Sequence, residues 1–184
     1  MEKKPFQLGI IVGRFQTLHT GHELMIDKAL ALCEQVGVMI GSSQEARTLK
    51  NPFSYEERRE MLQTVYGDAL TIFPLPDIGV GNNCAWGEYV LNKVKECFGM
   101  LPDLLVSGKE SRRSSWLDNE EGHNVSELYV PKSIEISATE MREYFIRDDR
   151  ETWQSFTDEK LWERYDEMRE IVLSVKDNLF TDSI

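Results

Sequence analysis

Cysteine is scarce and unpatterned in this chain. Cys33, Cys84 and Cys97 are odd in number and show no C-x-x-C spacing, which argues against a disulfide framework or a zinc ribbon and for a reducing compartment. Long apolar runs are missing as well. The run at residues 8–12 is cut by Arg14, too short for the apolar core of a signal peptide despite the Met-Glu-Lys-Lys start, and no stretch approaches a transmembrane helix in length. A cytoplasmic protein without membrane association is the expectation. Positive charge is in deficit, with 21 Lys and Arg against 32 Asp and Glu and a net charge of −11. That speaks against a nucleic-acid surface, because phosphate neutralisation needs a broad cationic excess. A small anionic ligand is still admissible, since it needs only a local basic pocket. No G-x-x-x-x-G-K-[ST] phosphate loop occurs either, so no P-loop kinase domain is carried here.

The 184 residues, 41% hydrophobic and 29% charged, suit one compact domain. Apolar runs alternate with helical patterns. Residues 7–13 read as a buried strand, 22–35 as a helix and 36–41 as a second strand. Ser54 and Glu57 form a capping box that opens a helix at 55–66. A third strand is expected at 69–73, and a helix from near Trp86 to before Gly99. Two more strands follow at 103–107 and 126–130, with a short helix around 109–118. Ser137 and Glu140 form a second capping box, for a helix at 138–147. The segment 158–176 is amphipathic and helical, with Leu161, Tyr165, Met168, Ile171 and Val175 on one stripe. Such alternation predicts a Rossmann-like α/β fold, a parallel sheet with helices on both faces plus C-terminal helices. Residues 1–184 form a single domain in this reading, and 149–184 are a helical extension for packing or a subunit contact. Ligands of such folds sit beyond the carboxyl ends of the strands.

Directly after the first strand comes Gly13-Arg14-Phe15-Gln16-Thr17-Leu18-His19-Thr20-Gly21-His22. Gly13 lets the backbone turn and approach a ligand closely. His19 and His22 flank Gly21 where the next helix begins, and exposed amides with the positive dipole end favour phosphate there. Two imidazoles beside those amides can donate to phosphate oxygens as charge develops, and Arg14 adds a planar cation. A zinc site is poorly supported, since His123 is the one other histidine and no cysteine is near. The segment resembles the H-x-G-H signature of the nucleotidyltransferase superfamily, whose two histidines bind the ATP phosphates and stabilise the transition state. Thr17 stands where that family usually has proline, which changes loop stiffness and not chemistry.

The segment Ile136-Ser137-Ala138-Thr139-Glu140-Met141-Arg142 is a capped helix start in its own right. It also resembles the second signature of the same superfamily, I-S-x-T-x-x-R. There the Ser137 and Thr139 hydroxyls could bond phosphate and Arg142 could reach the β- or γ-phosphate. Both motifs, in the expected order, are far more specific than either alone.

The middle of the chain narrows the resemblance. Gly41-Ser42-Ser43-Gln44, Asn51-Pro52-Phe53-Ser54, Glu57-Arg58, Pro74-Leu75-Pro76-Asp77-Ile78, Trp86 and Ser107-Gly108 are similar to segments of archaeal-type nicotinamide-nucleotide adenylyltransferases. Similar segments occur in the adenylyltransferase portion of bifunctional relatives. The likeness covers about residues 7–147, with no clear counterpart for 109–125. It implies His19, His22, Arg14, Lys50 and Arg142 as catalytic residues. Gly13, Phe15 and Gly21 would hold ATP, together with Ser107, Gly108, Ser137 and Thr139. Trp86 would stack on the pyridine ring in a pocket shaped by Asp77 and Ile78, where a pyridinium gains a cation–π term. Packing at a helix start is the plainer reading of Trp86. A basic residue near the transferred phosphate is implied too, with Lys50 ahead of Arg47. Lys109, Arg112 and Arg113 suit either phosphate contacts or a solvated turn.

The reaction so implied moves AMP from ATP, carried with Mg²⁺, to nicotinamide or nicotinate mononucleotide by direct in-line displacement, with no covalent enzyme intermediate. Mg²⁺ would bridge the phosphates and need few protein ligands, so no protein metal site is expected. Another phosphate acceptor (phosphopantetheine, FMN or a cytidylyl acceptor) and a nucleotide-sensing module without turnover are the alternatives. Oligomeric state is left open, although members of the family commonly form homo-oligomers.

Overall fold

The computed structural model describes residues 3–81, 83–110 and 112–181, with side chains described as far as residue 176. Five strands make one parallel sheet in the order β3-β2-β1-β4-β5: β1 (Phe6–Gly13), β2 (Cys33–Gly41), β3 (Thr71–Leu75), β4 (Leu104–Ser107) and β5 (Ser126–Tyr129). Six α-helices accompany them among the described residues: α1 (Thr20–Leu32), α2 (Tyr55–Tyr66), α3 (Cys84–Phe98), α4 (Ala138–Arg147), α5 (Arg150–Gln154) and α6 (Tyr165–Thr181). The two-residue period of a strand sends neighbours to opposite faces. Leu8, Ile10, Met39, Leu75 and Leu105 pack against α3 through Trp86, Val90, Leu91 and Val94. Ile11, Val38, Ile40, Leu104 and Val106 face the other way, towards α1, α2, α4 and the C-terminal helices. Each fully buried aliphatic side chain in these layers contributes about 1.5–3 kcal/mol.

The capping boxes placed α2 and α4 correctly. Ser54 Oγ accepts from Glu57 N while Glu57 bonds Ser54 N, and Ser137 Oγ accepts from Glu140 N. Elsewhere the boundaries move. α1 begins at Thr20 and stops at Leu32, and residues 33–35 belong to β2, because Cys33 turns extended and pairs with Phe6 without a loop. β3 runs to Leu75 and includes Pro74, opposite Ile40. A proline is tolerated there because β3 is an edge strand. The helix expected around 109–118 does not form among the described residues, and Ser111 lies outside them. The amides of Arg112 and Arg113 bond the two oxygens of Glu127, and residues 112–117 coil in turns about the Arg112 carbonyl. Before α6, residues 159–164 form a 3₁₀ turn, and α5 was not foreseen.

The order in which strands are added reverses at β1, with β2 and β3 on one side and β4 and β5 on the other. The crevice at the carboxyl ends of β1 and β4 is therefore the topological switch point.

Candidate active site

A cavity of about 750 Å³ opens at that switch point. Its walls take Gly13, Arg14, Phe15 and Gln16 after β1, and Gly41 and Ser42 after β2. Asp77 and Ile78 follow β3, Ser107, Gly108, Lys109 and Arg112 follow β4, and Lys132 to Ile134 follow β5. His19, Gly21, His22 and Met25 come from the start of α1, Trp86 from α3, and Ser137 from the cap of α4.

The two histidines meet face to face, with ring centroids 3.8 Å apart, and Phe15 stands 4.7 Å from His22 on the other side. His19 is the N-cap of α1, its Nδ1 accepting from the Gly21 amide at 3.2 Å. That bond leaves the proton of the neutral ring on Nε2. The packing at Gly21 is tight, since a Cβ there would sit 3.1 Å from the imidazole, which would have to give by a few tenths of an ångström. Burial, then Lys132, lowers the pKa of His19 to about 4, against the pull of Glu140. Burial and His19 hold His22 well below the ordinary value, and His22 Nδ1 is buried without a protein partner. Both imidazoles are thus held neutral, which two rings in stacking contact favour.

Exposed first-turn amides were expected at this helix start, and the structure differs. The Thr20 amide bonds the Phe156 carbonyl, the Gly21 amide bonds His19 Nδ1, and the amides of His22 and Glu23 bond the His19 carbonyl. What this turn presents to the cavity is therefore the two imidazoles, while Phe156 of the C-terminal segment takes the Thr20 amide.

Asp77 is fixed by Gln44, whose side chain accepts from the Asp77 amide at 3.0 Å and donates to its carboxylate at 3.3 Å. Asn83 caps α3 by accepting from the Trp86 amide. Trp86 is 9% exposed and touches Tyr89 and Trp116, with centroids 5.3 and 6.3 Å away. Trp86 thus packs in the core, as the plainer reading has it, and also lines the cavity. Arg112 stacks on Trp116 at 3.9 Å, and this turn lies so close to α3 that a Cβ on Gly87 would fall 1.9 Å from the Trp116 carbonyl.

Not every expected site residue reaches the cavity. Arg47 is drawn to Glu57 at 2.6 and 2.7 Å and to the Pro52 carbonyl, while Lys50 lies exposed on the same loop. Neither lines the wall. Arg142 lies behind the wall, donating to the Gln16 carbonyl at 2.9 Å and to Thr139 Oγ1 at 3.2 Å, so Thr139 is turned to Arg142. Ser137 does line the cavity, with its hydroxyl donated to Glu140 at 2.6 Å. Arg113 is spent on the carbonyls of Gly122 and Val125. Sequence reasoning missed Met25, Trp116 and Lys132 as cavity residues. Of these, the position of Lys132 just beyond β5 was the available signal. Among the described residues no group of three or more His, Cys, Asp or Glu is arranged to hold a metal ion, and no helix is long and apolar enough to cross a membrane.

Two buried groups give the fold opposite pH slopes. His19, lowered from 6.5 to about 4, makes the native state bind fewer protons than the unfolded chain in that window, so stability falls as pH drops from 6.5 to 4. Glu23 is raised from 4.5 to about 7, chiefly by burial, so its contribution is present below pH 4.5 and is lost as pH rises through 7. Each spans up to about 3 kcal/mol, at 1.36 kcal/mol per pKa unit. Thermal melts from pH 4 to 8 should therefore show a shallower acid-side limb in His19→Gln, where His22 keeps part of the slope, and lose the neutral-side limb in Glu23→Gln. Unchanged limbs would contradict these assignments.

Residues 10–176 match the cytidylyltransferase-like family. A nicotinamide-nucleotide adenylyltransferase of Thermococcus kodakarensis is 34% identical over 152 residues, 79% of this chain and 75% of that protein. Another from Thermococcus onnurineus is 31% identical over 166 residues, 88% of this chain and 83% of that protein. The fold is similar to a solved bifunctional NMN adenylyltransferase/ADP ribose pyrophosphatase of Francisella tularensis, complexed with AMP and a Mn ion. The TM-score is 0.65 at 24% identity, over 77% of this chain and 42% of the bifunctional one.

Proposed function

The chain belongs to the cytidylyltransferase-like family and, within it, to the nicotinamide-nucleotide adenylyltransferases, and from that premise we propose that it joins ATP and a pyridine mononucleotide into a dinucleotide in this one cavity. The observation that carries the reading is the continuity of the cavity. Neutral His19 and His22 at the start of α1, with Arg14 beside them, share one space with Asp77, Ile78 and Trp86. The imidazole end suits a triphosphate, and the aromatic end suits a flat ring.

In this reading the 5′-phosphate of the mononucleotide attacks the α-phosphorus of ATP in line, and pyrophosphate leaves. A divalent ion carried by ATP would supply neutralisation of phosphate charge, and with no acidic cluster among the described residues of the cavity wall it would be held mainly by the nucleotide. His19 Nε2–H and His22 donate to oxygens on which charge grows, and Arg14 orients the phosphates. Ser107 and Gly108 are assigned to the adenosine side, where a Cβ on Gly108 would come within 3.2 Å of Met25 Sδ. Among the described residues no cysteine lines the cavity, and the chemistry asks for positioning more than for a nucleophile.

The test is pyrophosphate release from ATP and Mg²⁺ with nicotinamide mononucleotide, nicotinate mononucleotide, phosphopantetheine and FMN in parallel, and with CTP replacing ATP. Release with a pyridine mononucleotide and ATP is the expected result. Release with phosphopantetheine or FMN alone would keep the phosphate end and discard the role given to Trp86. Silence with every acceptor would favour a nucleotide sensor.

A further inference from the structure

Arg58, on the first turns of α2, is fully buried yet outside the cavity wall. Its hydrogen bonds end on carbonyl oxygens. Nε donates to Ser54 at 3.0 Å, Nη1 to Arg14 at 2.9 Å and to Gly41 at 2.8 Å, and Nη2 to Ser42 at 3.1 Å. Three of those carbonyls belong to the two turns that leave β1 and β2 for the cavity.

Those turns are strained at two points. Phe15 has φ +52° and Ser42 has φ +48°, the left-handed region that non-glycine residues enter at a cost of about 1–2 kcal/mol. The carbonyls that Arg58 holds come directly before each strained residue, Arg14 before Phe15 and Gly41 before Ser42. A carbonyl shares its rigid peptide plane with the next residue's nitrogen, so fixing it restrains the next φ. We propose that Arg58 is a positioning residue for adenylyl transfer, pinning both strand-end turns so that Arg14 and Ser42 present their side chains to the reacting phosphates. This rests on the reading of the cavity given above.

Charge and shape both matter. Burial, then Arg14, lowers the pKa of Arg58 to about 10, so a positive charge stays beneath the phosphate end at neutral pH. Lysine would keep that charge, but a single ammonium cannot span carbonyls from three segments as a planar fork does. Arg58→Lys therefore separates positioning from electrostatics.

At a temperature where circular dichroism shows the protein fully folded, Arg58→Lys should lower kcat by about 10²-fold, the loss that a displacement near 1 Å produces, with KM for ATP within a few-fold of the parent. Leu161→Ala is the control. It truncates a buried side chain of the C-terminal extension and should lower Tm with kcat unchanged. If Arg58→Lys also loses only Tm, the role is structural and the proposal falls. A second measurement needs no variant. The NηH resonances of Arg58 in the intact protein should exchange slowly and shift when MgATP is added, and resonances indifferent to MgATP would overturn the proposal even if Arg58→Lys did not fold. Loss of pyrophosphate release with every acceptor in the parent protein would instead strike the reading of the cavity.

Discussion

His22→Ala should reduce kcat by about 10²–10³-fold, the usual cost of removing one donor to a developing oxyanion, with the dissociation constants of both substrates within a few-fold. His22 stacks on His19 in a site where burial keeps both rings neutral. A neutral donor gains little from the ground-state triphosphate, which water and metal already solvate, and more from the charge that builds as the α-phosphorus is attacked. The ring is also a packing element, 4.7 Å from Phe15. His22→Gln, which keeps a donor and much of the volume, should therefore recover part of the loss. Rapid-quench single turnovers with saturating ATP separate the steps. Equal losses in binding and in turnover would count against a transition-state role.

Trp86→Leu should raise KM for the mononucleotide by about 10–100-fold and leave KM for ATP nearly unchanged, since stacking a base on an aromatic ring is worth about 1–3 kcal/mol. The expectation follows from position: Trp86 shares the cavity wall with Asp77 and Ile78, in the same cavity as the imidazoles. Its indole also packs on Tyr89 and Trp116, so truncation costs stability as well as affinity. Trp86→Phe keeps a ring and should stay near the parent in both constants. Initial rates with each substrate varied in turn decide the matter. A parallel rise in both KM values would mean that Trp86 holds the wall together without touching the acceptor.

Local chemistry made parts of this protein legible in its sequence. The bounds of α2 and α4 follow from Ser54 with Glu57 and Ser137 with Glu140, because a capping box is closed by residues three apart. His19, Gly21 and His22 stood out as a short motif after the first strand, and the structure adds how closely a Cβ on Gly21 would approach the His19 ring. What escaped was long-range. The Thr20 amide is taken by Phe156, from the far end of the chain, and nothing near Thr20 announces it. Lys132 belongs to no motif and gains meaning only from its place beyond β5. Lys50 stood ahead of Arg47 by its nearness to Asn51, yet Arg47 is bound by Glu57 and neither reaches the cavity. Arg142 fits its motif and lies one layer back, on the Gln16 carbonyl. The Pro74 strand was cut short because proline reads as a breaker, whereas the edge position of β3 accommodates it.

The central claim is that one cavity transfers the adenylyl group of ATP directly to a pyridine mononucleotide. The most direct measurement follows ATP labelled at its α-phosphorus through a single turnover with nicotinamide mononucleotide and Mg²⁺. The account predicts that the label passes wholly into a dinucleotide with the mass of NAD, with one pyrophosphate released per dinucleotide and none of the label on the protein. Label trapped on the protein, or released as AMP with no dinucleotide formed, would contradict it.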